Sequence, residues 1–232
     1  MAAIGHTIGL SRYVVPQLFT FASIGCAVMS MRSTNLPAEP AWWILYSVLL
    51  DKLDGTAARL LKAQSRIGVQ LDSLADLIAF GIAPAHLFYR IMSQSAIDFT
   101  GDNVVWGALA IIYALATAWR LHRFNQEAGG AQSKSFRGMP STLSGALFAT
   151  YVVAHMPGAD LTEHFVLVAI MPVLSVAMNL NYRSRKVTIP VRKPLLLLQA
   201  VFAVFLYYAT FCQLYPKALF GCAGAGQRPS VR

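Results

Sequence analysis

Long apolar runs alternate with short polar stretches along this chain, and that pattern predicts a bundle of membrane-crossing helices. The runs cover residues 14–31, 41–61, 69–92, 104–124, 141–156, 161–180 and 194–215. Most approach the roughly 20 residues that a spanning helix needs, with 141–156 the shortest. Residues 33–40, 93–103, 127–140 and 181–193 gather Gly, Pro and polar side chains and read as loops. The link at 60–68 has no Pro and a single closing Gly, so the second helix is expected to run on past the lipid. The predicted fold class is all-α, a multi-spanning transmembrane helical bundle of about 6–8 helices. Residues 1–232 are expected to form one integral-membrane domain.

Composition agrees with this reading. The chain is 56% hydrophobic and 12% charged, with a mean hydropathy of +0.52. Soluble domains carry about 25% charged residues, which places this chain with the integral membrane proteins. Its length leaves no room for a separate soluble domain, and residues 1–13 lack the features of a cleavable signal. Cys26, Cys212 and Cys222 lie far apart without metal-ligand spacing and read as small apolar residues.

The net charge of +9 acquires meaning from its distribution. With a cytoplasmic N-terminus and alternating helices, 14 of the Lys and Arg residues fall on the cytoplasmic side and 5 outside. The outer five are Arg32, Arg90, Lys217, Arg228 and Arg232. The positive-inside rule therefore favours this orientation, in the cell (inner) membrane, and no nucleic-acid partner is needed to explain the charge. Residues 183–193 read as a topology signal in contact with anionic lipid. Trp42 and Trp43 suit the outer interface.

Against this background, Asp51, Asp54, Asp72 and Asp76 stand within 26 residues, in the stretch DKLDGTAARLLKAQSRIGVQLDSLAD. A carboxylate at bilayer depth costs roughly 2.5–3.5 kcal/mol, so four require neutralisation. Asp51 and Asp54 are spaced i, i+3 on the second helix, and Asp72 and Asp76 are spaced i, i+4 on the third. Each pair therefore projects from one helix face, and two facing helices can enclose an oxygen-rich site. Such a site suits hard cations, Mg²⁺ or Mn²⁺, and two divalent ions would balance four carboxylates at the cytoplasmic face. Small residues crowd the same helices and permit close packing, while Gly55 and Ala58 also leave room for a nucleotide. Arg59 and Arg66 would then meet phosphate oxygens, or serve simply as cytoplasmic flank charges.

The full spacing, Asp51-x2-Asp54-Gly55-x2-Ala58-Arg59-x8-Gly68-x3-Asp72-x3-Asp76, resembles the signature of the CDP-alcohol phosphotransferases at all eight fixed positions. The resemblance implies two divalent metals held by Asp51, Asp54, Asp72 and Asp76, with Asp76 also the candidate catalytic base. It further implies that Gly55, Ala58, Arg59 and Gly68 line the CDP site, and that the protein works as a homodimer. LDSLADLIAFGIAPA (residues 71–85) is similar to the branch that uses CDP-diacylglycerol and L-serine. PQLFTFASIGC, the Arg120-Leu-His-Arg-Phe-Asn125 segment and Phe136-x-Gly138-x-Pro140 extend that likeness over the first two-thirds of the chain. The pattern departs at Gln70, where an acid is usual, and at Thr142, where proline often stands.

The chemistry to be served is attack of an alcohol on a diphosphate, with a carboxylate accepting the hydroxyl proton. The expected products are phosphatidylserine, or its archaeal-lipid analogue, and CMP. Arg120 and Arg123, spaced i, i+3, can offer guanidinium forks to the carboxylate of serine. Asn125, Arg137 and Ser141 are further acceptor-binding candidates. Another acceptor, such as glycerol 3-phosphate or inositol phosphate, would keep the same chemistry. A divalent-cation transporter is the alternative of another class, disfavoured because transport sites lie near the bilayer midplane.

The topology can be tested by cysteine labelling in a background lacking native cysteines. Gln64→Cys and Gln94→Cys should react from opposite sides of sealed membranes, and labelling of both from one face would overturn the assignment.

Overall fold

In lipid, a backbone segment must satisfy its own hydrogen bonds, so apolar runs without strong breakers become helices. The computed structural model describes residues 2–34, 37–60, 66–95, 103–128, 135–156, 159–180 and 183–185. They belong to one compact unit, Met1–Val187. The helices are α1 (Ala2–Arg32), α2 (Ala38–Leu60), α3 (Arg66–Asp76), α4 (Ala83–Ser93), α5 (Val104–Ala128), α6 (Ser141–His155) and α7 (Leu161–Asn179). A π-helical segment, Leu77–Ile82, joins α3 to α4. The helix expected at 194–215 lies outside the described residues.

Three described stretches, Gln70–Ser93, Val104–Gln126 and Leu161–Asn179, are long and apolar enough to cross a membrane. The exterior agrees with that: Ile111, Ile112, Leu115 and Trp119 on α5 and Phe165, Val173 and Val176 on α7 are exposed. The interior meanwhile holds Ser23, Ser47, Thr117 and Ser144. Apolar outside with small hydroxyls inside is the arrangement of helices packing in lipid.

α1 and α2 form an antiparallel hairpin. Ser47 Oγ donates to the Ser23 carbonyl at 2.9 Å, and Ser23 Oγ donates to the Ser47 carbonyl at 3.5 Å. On α5, Trp106, Ala110, Tyr113, Thr117 and Leu121 face the core at three- and four-residue spacings, the stripe of an amphipathic helix. Phe80 from the π segment and Phe148 from α6 fill the centre. Close approach depends on glycine there: a Cβ at Gly145 would come within 2.9 Å of the Phe80 ring.

The sequence reading differs from the structure in three places. α1 starts at Ala2 rather than near residue 14, because nothing between Ala2 and Tyr13 stops a helix except isolated glycines. The helix expected at 69–92 runs through as one span, Gln70–Ser93, but with the π segment inside it. Its cause is Pro84, which has no N–H and so removes the α-helical partner of the Phe80 carbonyl. Tyr113 Oη donates to that carbonyl instead, at 3.0 Å. Lastly, the loops after α5 and α7 pair as a short antiparallel ribbon, β1 (Ser135–Arg137) with β2 (Arg183–Arg185), with Phe136 opposite Ser184.

Gly138 closes the ribbon against the end of α7. Its φ is +73°, and a Cβ there would collide with the Met178 carbonyl oxygen. Gly138→Ala should therefore lower the melting temperature of the purified protein by about 2–4 °C or more. Gly25→Ala, where a Cβ meets nothing within 4 Å, should not lower it. Equal melting temperatures for the two variants would contradict this packing.

Candidate metal centre

The last turns of α2 and the whole of α3 bring carboxylates together from two directions. Oxygens of Asp51, Asp72 and Asp76 all lie within 4.8 Å of one another. Asp51 and Asp76 are half-buried and Asp72 is exposed. Asp54 stands apart from this trio: it is buried, and Thr20 Oγ1 of α1 donates to its Oδ2. Lys52 Nζ lies 3.4 Å from Asp51 Oδ2, but its side chain is 63% exposed and screens little.

Two ionised carboxylates at such spacing would repel by roughly 4 kcal/mol near a protein surface. Among the described residues the cluster offers only carboxylate oxygens, from α2 and α3. The set therefore fits a hard divalent cation, and these three aspartates could hold one.

Neighbouring helices hold the carboxylates by hydroxyl groups. Thr142 Oγ1 donates to Asp51 Oδ2 at 3.4 Å, and Ser141 Oγ donates to Asp76 Oδ2 at 3.4 Å. Ser73, beside Asp72, donates from Oγ to Asn125 Oδ1 at 3.0 Å and so ties α3 to the end of α5. Arg120 donates from Nε to the Met139 carbonyl and from Nη1 to Ser141 Oγ, each at 2.8 Å. Arg123 Nη1 donates to the Asn179 carbonyl at 3.4 Å, while its buried Nη2 has no partner among the described residues.

The remaining sequence candidates fall into two groups. Gly55 is exposed with open space where a Cβ would stand, and Gly68 is half-buried. The side chains of Ala58, Arg59, Arg66 and Arg137 lie outside the described residues. Arg137 is placed only by its backbone, opposite Arg183 in the ribbon. Sequence reasoning missed Thr20, Ser73 and Tyr113, because a hydroxyl on an apolar helix gives no sign of its distant partner.

This end of the bundle thus carries an all-oxygen site in an otherwise apolar, helical molecule. The family model described as CDP-alcohol phosphatidyltransferase matches residues 13–221, and the chain belongs to that family. Among its relatives, the CDP-diacylglycerol–serine O-phosphatidyltransferase of Helicobacter pylori (strain ATCC 700392 / 26695) is 35% identical over 143 residues, 61% of this chain and 58% of that one. The Bacillus subtilis (strain 168) protein of the same description is 34% identical over 136 residues, 56% of this chain and 71% of that one. An archaetidylserine synthase of Methanothermobacter thermautotrophicus is 33% identical over 132 residues, 55% of this chain and 51% of that one. The chain spans a little over half the length of the first and last of these relatives.

Tyr113 secures the π segment that directly follows Asp76, bonding both the Phe80 carbonyl and Ser144 Oγ at 3.0 Å. Tyr113→Phe leaves a buried carbonyl short of a donor, at a cost of about 1–3 kcal/mol. The variant should melt several degrees lower, and an unchanged melting temperature would show that the segment holds without this bond.

Proposed function

We propose that this chain transfers the phosphatidyl group of CDP-diacylglycerol to the hydroxyl of L-serine, giving phosphatidylserine and CMP. The convergence of Asp51, Asp72 and Asp76 at one end of an apolar bundle carries this reading. Serine as acceptor is supported by the names of the Helicobacter and Bacillus relatives and by the archaetidylserine synthase. In this reading the site lies at the cytoplasmic face of the cell (inner) membrane, where the positive charges concentrate.

Asp51, Asp54, Asp72 and Asp76 would hold two Mg²⁺ or Mn²⁺ ions. When bound, these supply charge neutralisation for the diphosphate and for departing CMP. Gly55, Ala58 and Gly68 would leave room for the nucleotide, and Arg59 and Arg66 would meet its phosphate oxygens. Asp76 accepts the proton of the serine hydroxyl as the oxygen attacks the lipid-bearing phosphorus. A new P–O bond to serine forms, the diphosphate bridge breaks and CMP leaves with the electron pair. Arg120, Arg123, Asn125, Arg137 and Ser141 form the acceptor side. Direct in-line transfer is favoured over a covalent enzyme intermediate, since no Ser–His or Cys–His pair stands near the aspartates in the sequence.

The assay is metal-dependent CMP release from CDP-diacylglycerol with a panel of alcohols. Serine should be the preferred acceptor, chelation should abolish turnover, and Mg²⁺ or Mn²⁺ should restore it. Asp51→Asn, Asp54→Asn and Asp72→Asn should each lose most activity. Asp76→Asn should lower turnover strongly while CDP-diacylglycerol binding largely persists. Preference for glycerol 3-phosphate or inositol phosphate would reassign the acceptor. Near-wild-type rates for any two of the first three variants would defeat the two-metal site.

A further inference from the structure

The carboxylate cluster is touched by a helix that supplies none of its carboxylates. Ser141 and Thr142 are the first two residues of α6, and both are buried. Their hydroxyls reach Asp76 on α3 and Asp51 on α2, so one helical turn spans both halves of the cluster.

Donor chemistry fixes the direction of the chain of bonds on the Asp76 side. A guanidinium can only donate. Arg120 Nη1 stands 2.8 Å from Ser141 Oγ, so Ser141 accepts that bond and its single proton is left for Asp76. Arg120 is itself tethered through Nε to the Met139 carbonyl, and the Met139 N–H is bonded in turn to the Ala177 carbonyl of α7. The guanidinium is thus committed to the protein on two of its nitrogens before any acceptor arrives.

We propose that Arg120, Ser141 and Thr142 are positioning residues for the metal-binding carboxylates. Thr142 orients Asp51, and Arg120 orients Asp76 through Ser141. A hydroxyl 3.4 Å from one oxygen of each carboxylate biases the direction of its remaining lone pairs, which lowers the cost of organising it around an ion. This rests on the metal-site reading and gives Arg120 and Ser141 a task at Asp76 besides the acceptor contacts proposed above.

Mn²⁺ titration of the full-length purified protein, with free Mn²⁺ followed by electron paramagnetic resonance, tests the proposal without turnover. Outer partners of metal ligands are worth about 10–100-fold in affinity. Thr142→Val and Ser141→Ala should each weaken Mn²⁺ binding by about tenfold or more, and Thr142→Ser should retain wild-type affinity. Arg120→Lys should weaken it as Ser141→Ala does, and the double variant should be no weaker than either alone. Unchanged Mn²⁺ affinity in the Val and Ala variants would overturn the proposal. So would an Arg120→Lys enzyme with normal Mn²⁺ affinity and a raised KM for serine only. Failure of the wild-type protein to bind Mn²⁺ would instead remove the metal site itself, which separates the two failures.

Discussion

Like-charge repulsion at one end of an apolar bundle is the constraint around which this molecule is arranged. Asp51, Asp72 and Asp76 offer oxygens within 4.8 Å of one another. The groups that hold the aspartates are mainly neutral hydroxyls: Thr20 on Asp54, Thr142 on Asp51 and Ser141 on Asp76. A hydroxyl orients a carboxylate without cancelling its charge. Of the cations, the mostly exposed Lys52 pairs with Asp51, and Arg120 bonds to Ser141 beside Asp76. Three carboxylates so placed could hold a divalent ion.

Packing carries this constraint into the core. Asp76 immediately precedes the π segment, and the segment is shaped by Pro84, by Tyr113 bonding the Phe80 carbonyl, and by glycines at close approaches. Gly81 faces Thr117 and Gly145 faces Phe80, so α5 and α6 close tightly on the turn behind Asp76. The same two helices then deliver Arg120 and Ser141 to its carboxylate. Core and site thus share α5, α6 and the π segment.

Much of this was legible in the sequence for definite physical reasons. Hydropathy and length locate helices because lipid leaves the backbone no alternative. The i, i+3 and i, i+4 spacings of the aspartates announce two faces of one site because helical geometry is local. What stayed hidden depends on distant partners. Asp54 reads like its three companions, and its bond to Thr20, 34 residues away on α1, is announced by no local spacing. Pro84 was visible, but a widened turn needed Tyr113 and Ser144 across the bundle to make it tolerable. Arg120 read as an acceptor fork from its charge and spacing, whereas its bonds to Met139 and Ser141 become apparent only in the fold. The ribbon of β1 and β2 joins loops separated by α6 and α7, a pairing that no local pattern encodes.

The central claim is that the aspartates of α2 and α3 form a divalent-cation site. Anomalous diffraction from crystals of the full-length protein grown with Mn²⁺ tests it most directly. The account predicts anomalous peaks in contact with carboxylate oxygens of Asp51, Asp72 and Asp76. Peaks found only elsewhere, or a cluster free of metal at saturating Mn²⁺, would contradict it.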